Sequence, residues 1–396
     1  MNNIISINQF NIVNKILFIR LDLNVPIQNG VITDDTRIVS SLETITYALA
    51  LNAKIIIATH LGRPNEGELT AINSIAPIAH HIAILLKLSN PIKIITNLDH
   101  KINFSDTNIV MLENVRVNYG ETSNCLKLAQ KYANLCDIFV FDAFATAHRQ
   151  ESSIYGIATL MPNQICAGFL VTKEITALNR TLYNAKPPVL AIIGGAKISS
   201  KLEVLSNLIK QIDYLIVGGG ILNNFLLASG YSIGKSLHEP HLINATKDII
   251  NKLHSKNKVL LLPQMVLTVK EITPNANNNY NVIEKSIINI ANDDIIVDIA
   301  KSSASNFAAT IIKMATIIWN GPVGIVETDQ FAEGTSIIAH AVADSQAYSL
   351  AGGGDTIFAI NKFKIYDKIN YVSMGGGALL EFLAGKGLPI LLLLNH

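Results

Sequence analysis

The chain is 396 residues long, more than one domain usually holds and comfortable for two. Charged residues make up 15% and hydrophobic ones 49%, with a net charge of +1, so a large core is available and a nucleic-acid or membrane-surface role driven by bulk charge is disfavoured. Mean hydropathy is +0.34, yet no segment reaches the roughly 18 uninterrupted apolar residues of a membrane span. The surplus comes from isoleucine used freely in core positions, and the run "LPILLLL" is too short to cross a bilayer.

In chain order, short β-branched runs alternate with longer amphipathic stretches. Strands are predicted at "KILFIR" (15–20), "AKIIIATH" (53–60), "IKIIT" (92–96), "NIVML" (108–112) and "DIFVFDA" (137–143). A periodic stretch, 163–185, then predicts a helix ending before Pro187 and Pro188. The strand pattern restarts with "PVLAIIGG" (188–195), "YLIVGGG" (214–220), "KVLLLP" (258–263), "TIIWNGP" (316–322) and "YSLAGGG" (348–354). Near-continuous apolar runs of this kind suit parallel strands covered on both faces. The fold expected is α/β, with two doubly wound parallel-sheet domains joined by a helix. The Asn-rich "PNANNNYN" (274–281) reads as an exposed loop. Cys125, Cys136 and Cys166 are odd in number and lack a CxxC pair, which fits reduced, buried thiols in the cytoplasm. "MNNIISINQF" has no basic region before an apolar run, so no signal peptide is expected.

Arginine and glycine divide the chain. The six arginines are Arg20, Arg37, Arg63, Arg116, Arg149 and Arg180, and none lies beyond residue 180, although lysine runs throughout. Only arginine offers a planar fork for bidentate contact with carboxylate or phosphate. Any one of them is as well explained by a structural ion pair, as Arg20 with Asp22 would be. As a group, with His60 and His148 close in sequence, they point to an anion site. The stretch "RLDLNVP", with Arg20, Asp22 and Asn24 alternating at a strand end, belongs to that half.

The second half holds the glycine clusters 194–195, 218–220, 352–354 and 375–377, each following a predicted strand. Glycine there lets backbone N–H groups approach phosphate at a helix N-terminus. Neither standard phosphate motif is complete. "GYSIGKS" (230–236) is three residues between glycines where the P-loop needs four, and reads as a surface turn; "GGGILN" and "GGGALL" lack the third glycine of GxGxxG. Lys197 and Lys201 in "GGAKISSK" would share one helix face, and two cations opposing a helix dipole make sense with a phosphate chain between them. Asp355 in "GGGDT" reads as an N-cap, a Mg²⁺ ligand or both. Glu327 reads as a solvated acid or an acceptor for a ribose hydroxyl.

In order, "RLDLNVP", "DDTRI", "THLGRP", "LENVR", "DAFATAHR", "GGAKISSK", "GGGILNNFL", "WNGPVGIVE", "AGGGDT" and "SMGGGALLEFLAGKGLP" resemble the phosphoglycerate kinase family over essentially the whole chain. The resemblance implies two Rossmann-like domains: a phosphoglycerate-binding domain over 1–165 and a nucleotide-binding domain over 188–379. An interdomain helix and hinge would span 166–187, and 380–396 would pack back onto the first domain. It assigns Asp22, Leu23, Asn24, Arg37, His60, Leu61, Gly62, Arg63, Arg116 and Arg149 to 3-phosphoglycerate or 1,3-bisphosphoglycerate. It assigns Lys197, Lys201, Glu327, Gly352, Gly353, Gly354, Asp355 and Thr356 to MgATP or MgADP. On that footing Arg37, Lys197, Lys201 and the N–H groups of Gly375 and Gly376 stabilise the moving phosphoryl group, and Mg²⁺ lies near Asp355. Asp22 accepts from the substrate hydroxyl, with Arg20 balancing charge, and the domains close about the linking helix. The resemblance also implies a monomer with small-molecule partners, and no nucleic acid or membrane.

Four positions depart from the family pattern: Ala145 stands for a glycine, Ser200 for an acid, though its small hydroxyl can still cap a helix, Ala300 for a glycine and Met374 for a threonine. None removes a charged residue assigned to the chemistry. Two other readings compete. An NAD-dependent oxidoreductase suffers from the incomplete fingerprint, and a non-catalytic binding protein has only the four departures in its favour.

Overall fold

The structure, a computed structural model, describes residues 4–273 and 279–394. Two compact units emerge from the packing, one built from the chain up to Thr176 together with the segment from Gly387, the other from Ala177–Lys386.

The first unit is built on six parallel strands: β1 (Ile16–Leu21), β2 (Lys54–Ala58), β3 (Lys93–Ile95), β4 (Ile109–Leu112), β5 (Ile138–Asp142) and β6 (Ile165–Ala167). Their order across the sheet is β3-β4-β2-β1-β5-β6. β1 is central, so both faces are covered, and this is why its sequence runs apolar without alternation. Leu17 and Ile19 join a core with Ile38, Ile45, Ile78 and Ile82, from the helices Thr36–Ala50 and Ala76–Leu85. Phe18 packs on the opposite face against Tyr132 and Phe139. The chain reverses its direction of growth at β1, beside β5. Ligands in such sheets bind beyond the carboxyl ends of the strands flanking that reversal.

The second unit carries β7 (Val189–Ile193), β8 (Tyr214–Val217), β9 (Val259–Leu261), β10 (Thr316–Asn320), β11 (Tyr348–Gly352) and β12 (Tyr371–Ser373). Their order is β9-β8-β7-β10-β11-β12, all parallel, which is the doubly wound arrangement with its reversal between β7 and β10. The turns after these two strands touch so closely that a Cβ on Gly194 would lie 1.8 Å from the Pro322 carbonyl oxygen.

Several expectations change. The helix predicted over 163–185 runs only from Phe169 to Leu182, because Ile165–Ala167 joins the sheet beside β5. A three-residue edge strand is too short to break a helical period in the sequence. That helix contains the division between the units, and residues 380–386, expected with the first domain, group with the second. An antiparallel sheet of Met265–Val269, Ile283–Ser286 and Ile295–Ile299 was not anticipated, since its strands are short and partly exposed. Nor was the hairpin Ile27–Gln28 with Val31–Ile32, whose turn residues Asn29 and Gly30 both have positive φ. In the polar stretch 274–281, residues 274–278 lie outside the described residues, and Asn279 and Asn281 are exposed.

Ala145 lies in a short 3₁₀ turn and Ala300 caps the helix Lys301–Ile311, both at ordinary negative-φ backbone, so neither position demands glycine. Among the described residues no helix is long and apolar enough to cross a membrane.

Candidate active site

In the first unit the loops after β1, β2, β4 and β5 converge on a basic cluster. Arg20, at the end of β1, is completely buried. It does not pair with Asp22. Its Nε donates to Ser153 Oγ at 3.0 Å, its Nη1 to the Leu21 carbonyl, and its Nη2 faces His60 Nδ1 at 3.3 Å. Arginine only donates, so His60 Nδ1 accepts and the ring proton sits on Nε2. Burial and the charges of Arg20, Arg149 and Arg37 push the imidazole pKa down to about 2, so His60 is a neutral donor throughout the working range.

Asp22 pairs instead with Arg37, which stands in the first turn of the helix Thr36–Ala50. Asn24 accepts the Gly62 N–H at 2.9 Å through Oδ1, which leaves its amide NH₂ outward. Arg116 donates to the Gly62 carbonyl at 2.8 Å and to Glu151 at 3.3 Å, and Arg149 to the same Glu151 oxygen at 3.4 Å. Arg63 is exposed and makes no ion pair among the described residues. Three expected contact residues spend their backbone groups inside the protein. The Leu23 N–H donates to Thr59 and its carbonyl accepts from Val25; both backbone groups of Leu61 bond to Asn114. Gly62 likewise spends its N–H on Asn24 and its carbonyl on Arg116. These backbone bonds brace the loops that carry Asn24 and Arg116.

In the second unit a cavity of about 410 Å³ opens at the strand ends beside the reversal. It is lined by Gly194, Gly195, Lys197, Lys201, Asn320, Gly353, Gly354, Asp355, Thr356 and Gly376, among others. A second, of about 430 Å³, shares Gly195 and Asp355 and continues along Gly219, Gly220, Leu237, Val297, Pro322, Ile325 and Glu327. The first has the glycine turns and cations that phosphates require. The second has the apolar walls and polar rim that suit a base and sugar. Thr356 Oγ1 accepts the Gly321 N–H at 2.7 Å and donates to the Gly352 carbonyl at 2.9 Å. Asn320 also donates to that carbonyl, so the turn at Gly353, with φ near +100°, is locked from two sides.

Four site details differ from expectation. Lys197 and Lys201 flank a 3₁₀ turn, Ile198–Ser200, and do not ride one α-helical face; the cavity still brings them together. Ser200 Oγ closes that turn on the Lys197 carbonyl and caps nothing. Asp355 is not an N-cap: Gly353 holds that position and Asp355 lies in the first turn of the helix Gly354–Lys362. The Gly375 N–H is taken by Ser373 Oγ at 3.1 Å, so of that pair only Gly376 lines the cavity. The "GKS" stretch, expected as a surface turn, instead buries Ser236 and brings Lys235 to the second cavity, and Glu151, given no role by the sequence, is set among the arginines only by the fold. Asn320, at the end of β10 in the quoted "WNGP", had a signal in its position and received no role.

Lys201 is the perturbed cation. Burial pushes its pKa down to about 8, and nearby Asp355 works in the opposite direction. A phosphate beside it will raise the pKa again. Nucleotide binding at pH 8 is therefore expected to take up a proton, and affinity to fall as pH rises above about 8. Titration calorimetry in two buffers of different ionisation enthalpy measures this; zero uptake would remove Lys201 from the phosphate site.

A doubly wound unit with a glycine-lined, cationic cavity, in a chain whose other unit gathers arginines around a buried carboxylate, fits a two-domain α/β protein that handles phosphate and a second small anion. The comparisons with known proteins agree. The phosphoglycerate kinase family model matches residues 7–386. A solved phosphoglycerate kinase from Coxiella burnetii is 42% identical, with 99% of each chain covered and a TM-score of 0.93. One from Pyrococcus horikoshii OT3 is 31% identical, with 98% of each covered and a TM-score of 0.80. The chain belongs to the phosphoglycerate kinase family.

Proposed function

We propose that the chain transfers a phosphoryl group reversibly between 1,3-bisphosphoglycerate and ADP, giving 3-phosphoglycerate and ATP. One observation carries this reading: an arginine cluster in one unit and a glycine–lysine cavity in the other, in a chain of this family. In the ATP-consuming direction the nucleophile is a carboxylate. With a pKa of about 4 it is already ionised at neutral pH, so no general base is needed. The barrier is charge repulsion and alignment.

The roles proposed are those of the family motifs, supported by where the side chains lie. Arg116, Arg149 and the exposed Arg63 bind the anionic ends of phosphoglycerate. Asp22 accepts from its hydroxyl, and the neutral His60 offers only its Nε2 proton. Lys197, Lys201 and the Gly376 N–H neutralise the phosphate chain, Glu327 receives the ribose, and Arg37 meets the phosphoryl group as its charge spreads. Mg²⁺ fits this site: Asp355 lines the cavity that also holds Lys197 and Lys201, and a lone carboxylate beside phosphates is how Mg²⁺ is commonly held. Asp355 would hold it, and it would neutralise nucleotide oxygens. Direct in-line transfer requires acceptor and nucleotide to meet, so the proposed cycle includes a hinge closure that excludes water. A monomer in the cytoplasm is the family's expectation, and three free cysteines accord with that compartment.

The test is turnover with 3-phosphoglycerate, ATP and Mg²⁺, coupled through an added dehydrogenase to NADH oxidation. Activity that requires phosphoglycerate and disappears with EDTA supports the reading. Nucleotide binding without turnover would overturn it.

A further inference from the structure

Glu151 is a buried acid inside a basic cluster, with only 6% of its surface exposed. One carboxylate oxygen accepts from Arg116 Nη2 at 3.3 Å and from Arg149 Nη1 at 3.4 Å. The other lies 3.9 Å from Arg20 Nη2 and accepts no hydrogen bond. Three guanidiniums therefore share one carboxylate.

Its mounting is rigid. The Glu151 carbonyl accepts the N–H groups of Ile154, Tyr155 and Gly156, closing a tight turn over Ser152–Gly156. The Ser152 N–H donates to the Glu121 carbonyl, and Ser153 Oγ donates to the buried Glu121 carboxylate while accepting from Arg20. The backbone that carries the carboxylate is thus pinned, and the side chain is held by Arg116 and Arg149.

We propose that Glu151 is a positioning residue: it fixes the forks of Arg116 and Arg149 in the geometry that receives an anionic end of the substrate. This rests on the proposed phosphoglycerate reading of the arginines. Each guanidinium has five N–H donors. Arg149 spends one on Glu151, and Arg116 spends one there and one on Gly62, with its Nε unpartnered. Glu151 thus holds each fork by a single atom and leaves the remaining donors for ligand. It also offsets the repulsion that two adjacent guanidiniums would otherwise feel, which keeps them converged when the site is empty.

The experiment is Glu151→Gln, nearly isosteric and uncharged. Charge alone and positioning predict opposite signs. Removing a negative charge from an anion site should tighten substrate binding if Glu151 only sets the local potential. If it positions the forks, KM for 3-phosphoglycerate should rise by about tenfold or more, with kcat changed less and KM for ATP within about twofold. Glu151→Asp, which keeps the charge but retracts it, should fall between wild type and Gln. An unchanged or lower KM for 3-phosphoglycerate in Glu151→Gln would overturn the proposal. If that variant does not fold, as judged by its far-UV circular dichroism and its melting transition, Glu151→Asp decides alone: a KM equal to wild type overturns it and a raised KM upholds it. Wild-type turnover is measured alongside, so failure of the phosphoglycerate reading shows itself separately.

Discussion

Replacing Arg37 with alanine is expected to lower turnover with 3-phosphoglycerate by about 10²–10³-fold, the usual cost of losing one donor to transition-state charge, while nucleotide affinity stays within about twofold. The geometry sets this asymmetry. Arg37 belongs to the first unit, on the opening turn of the helix Thr36–Ala50, whereas both nucleotide cavities are lined wholly from the second. Its ion-pair partner is Asp22, so alanine would also leave a partly buried carboxylate unpaired beside the substrate. Arg37→Ala with Asp22→Asn separates the two effects: if loss of the pair were the whole cause, the double variant would recover. Steady-state kinetics and calorimetric ATP titration are the measurements. Equal losses in turnover and in ATP binding would sink the assigned role.

Lys201→Met is expected to move activity and stability in opposite directions. Methionine fills a similar volume without the ammonium, so catalytic efficiency should fall by about 10²–10³-fold as phosphate charge goes unanswered. The free protein should become more stable, because burial holds the wild-type ammonium well below its ordinary lysine pKa. The sign follows from linkage. The unfolded chain binds this proton more tightly than the folded one, so in wild type the group makes stability rise with pH between about 8 and 10.5. The variant should lose that rise. Thermal melting across this range, with and without ATP, checks both halves, and ATP should raise the melting temperature of wild type by more than that of the variant. Loss of activity together with loss of stability would mean Lys201 is structural.

Much of this protein is legible in its sequence because the signals are local. "VLAII" and "TIIWN" are apolar on both faces, and the structure covers both faces of the strands they form. The restriction of arginine to the first half and of the glycine clusters to the second is plain in the sequence, and the structure keeps Arg20, Arg116 and Arg149 around Glu151 in one unit and the glycine-lined cavity in the other. The turns at Gly194 and Gly353 lie where strand-end glycines predict them.

What the sequence leaves open depends on residues far apart along the chain. Arg20 and Asp22 look like partners two residues apart, yet Arg20 bonds to Ser153, 133 positions away, and Asp22 takes Arg37. A strand turns successive side chains to opposite faces but carries no record of what lies beyond each face. Leu23, Leu61 and Gly62 sit inside matching motifs, and only the hydrogen-bond network shows their backbone groups spent internally. Composition and motif order therefore determine which chemistry the chain carries and in which half. Tertiary packing decides which arginines are free to meet a ligand, which proton His60 keeps, and that Lys201 is desolvated, because burial and long-range pairing, not residue identity, set the energy of a charge.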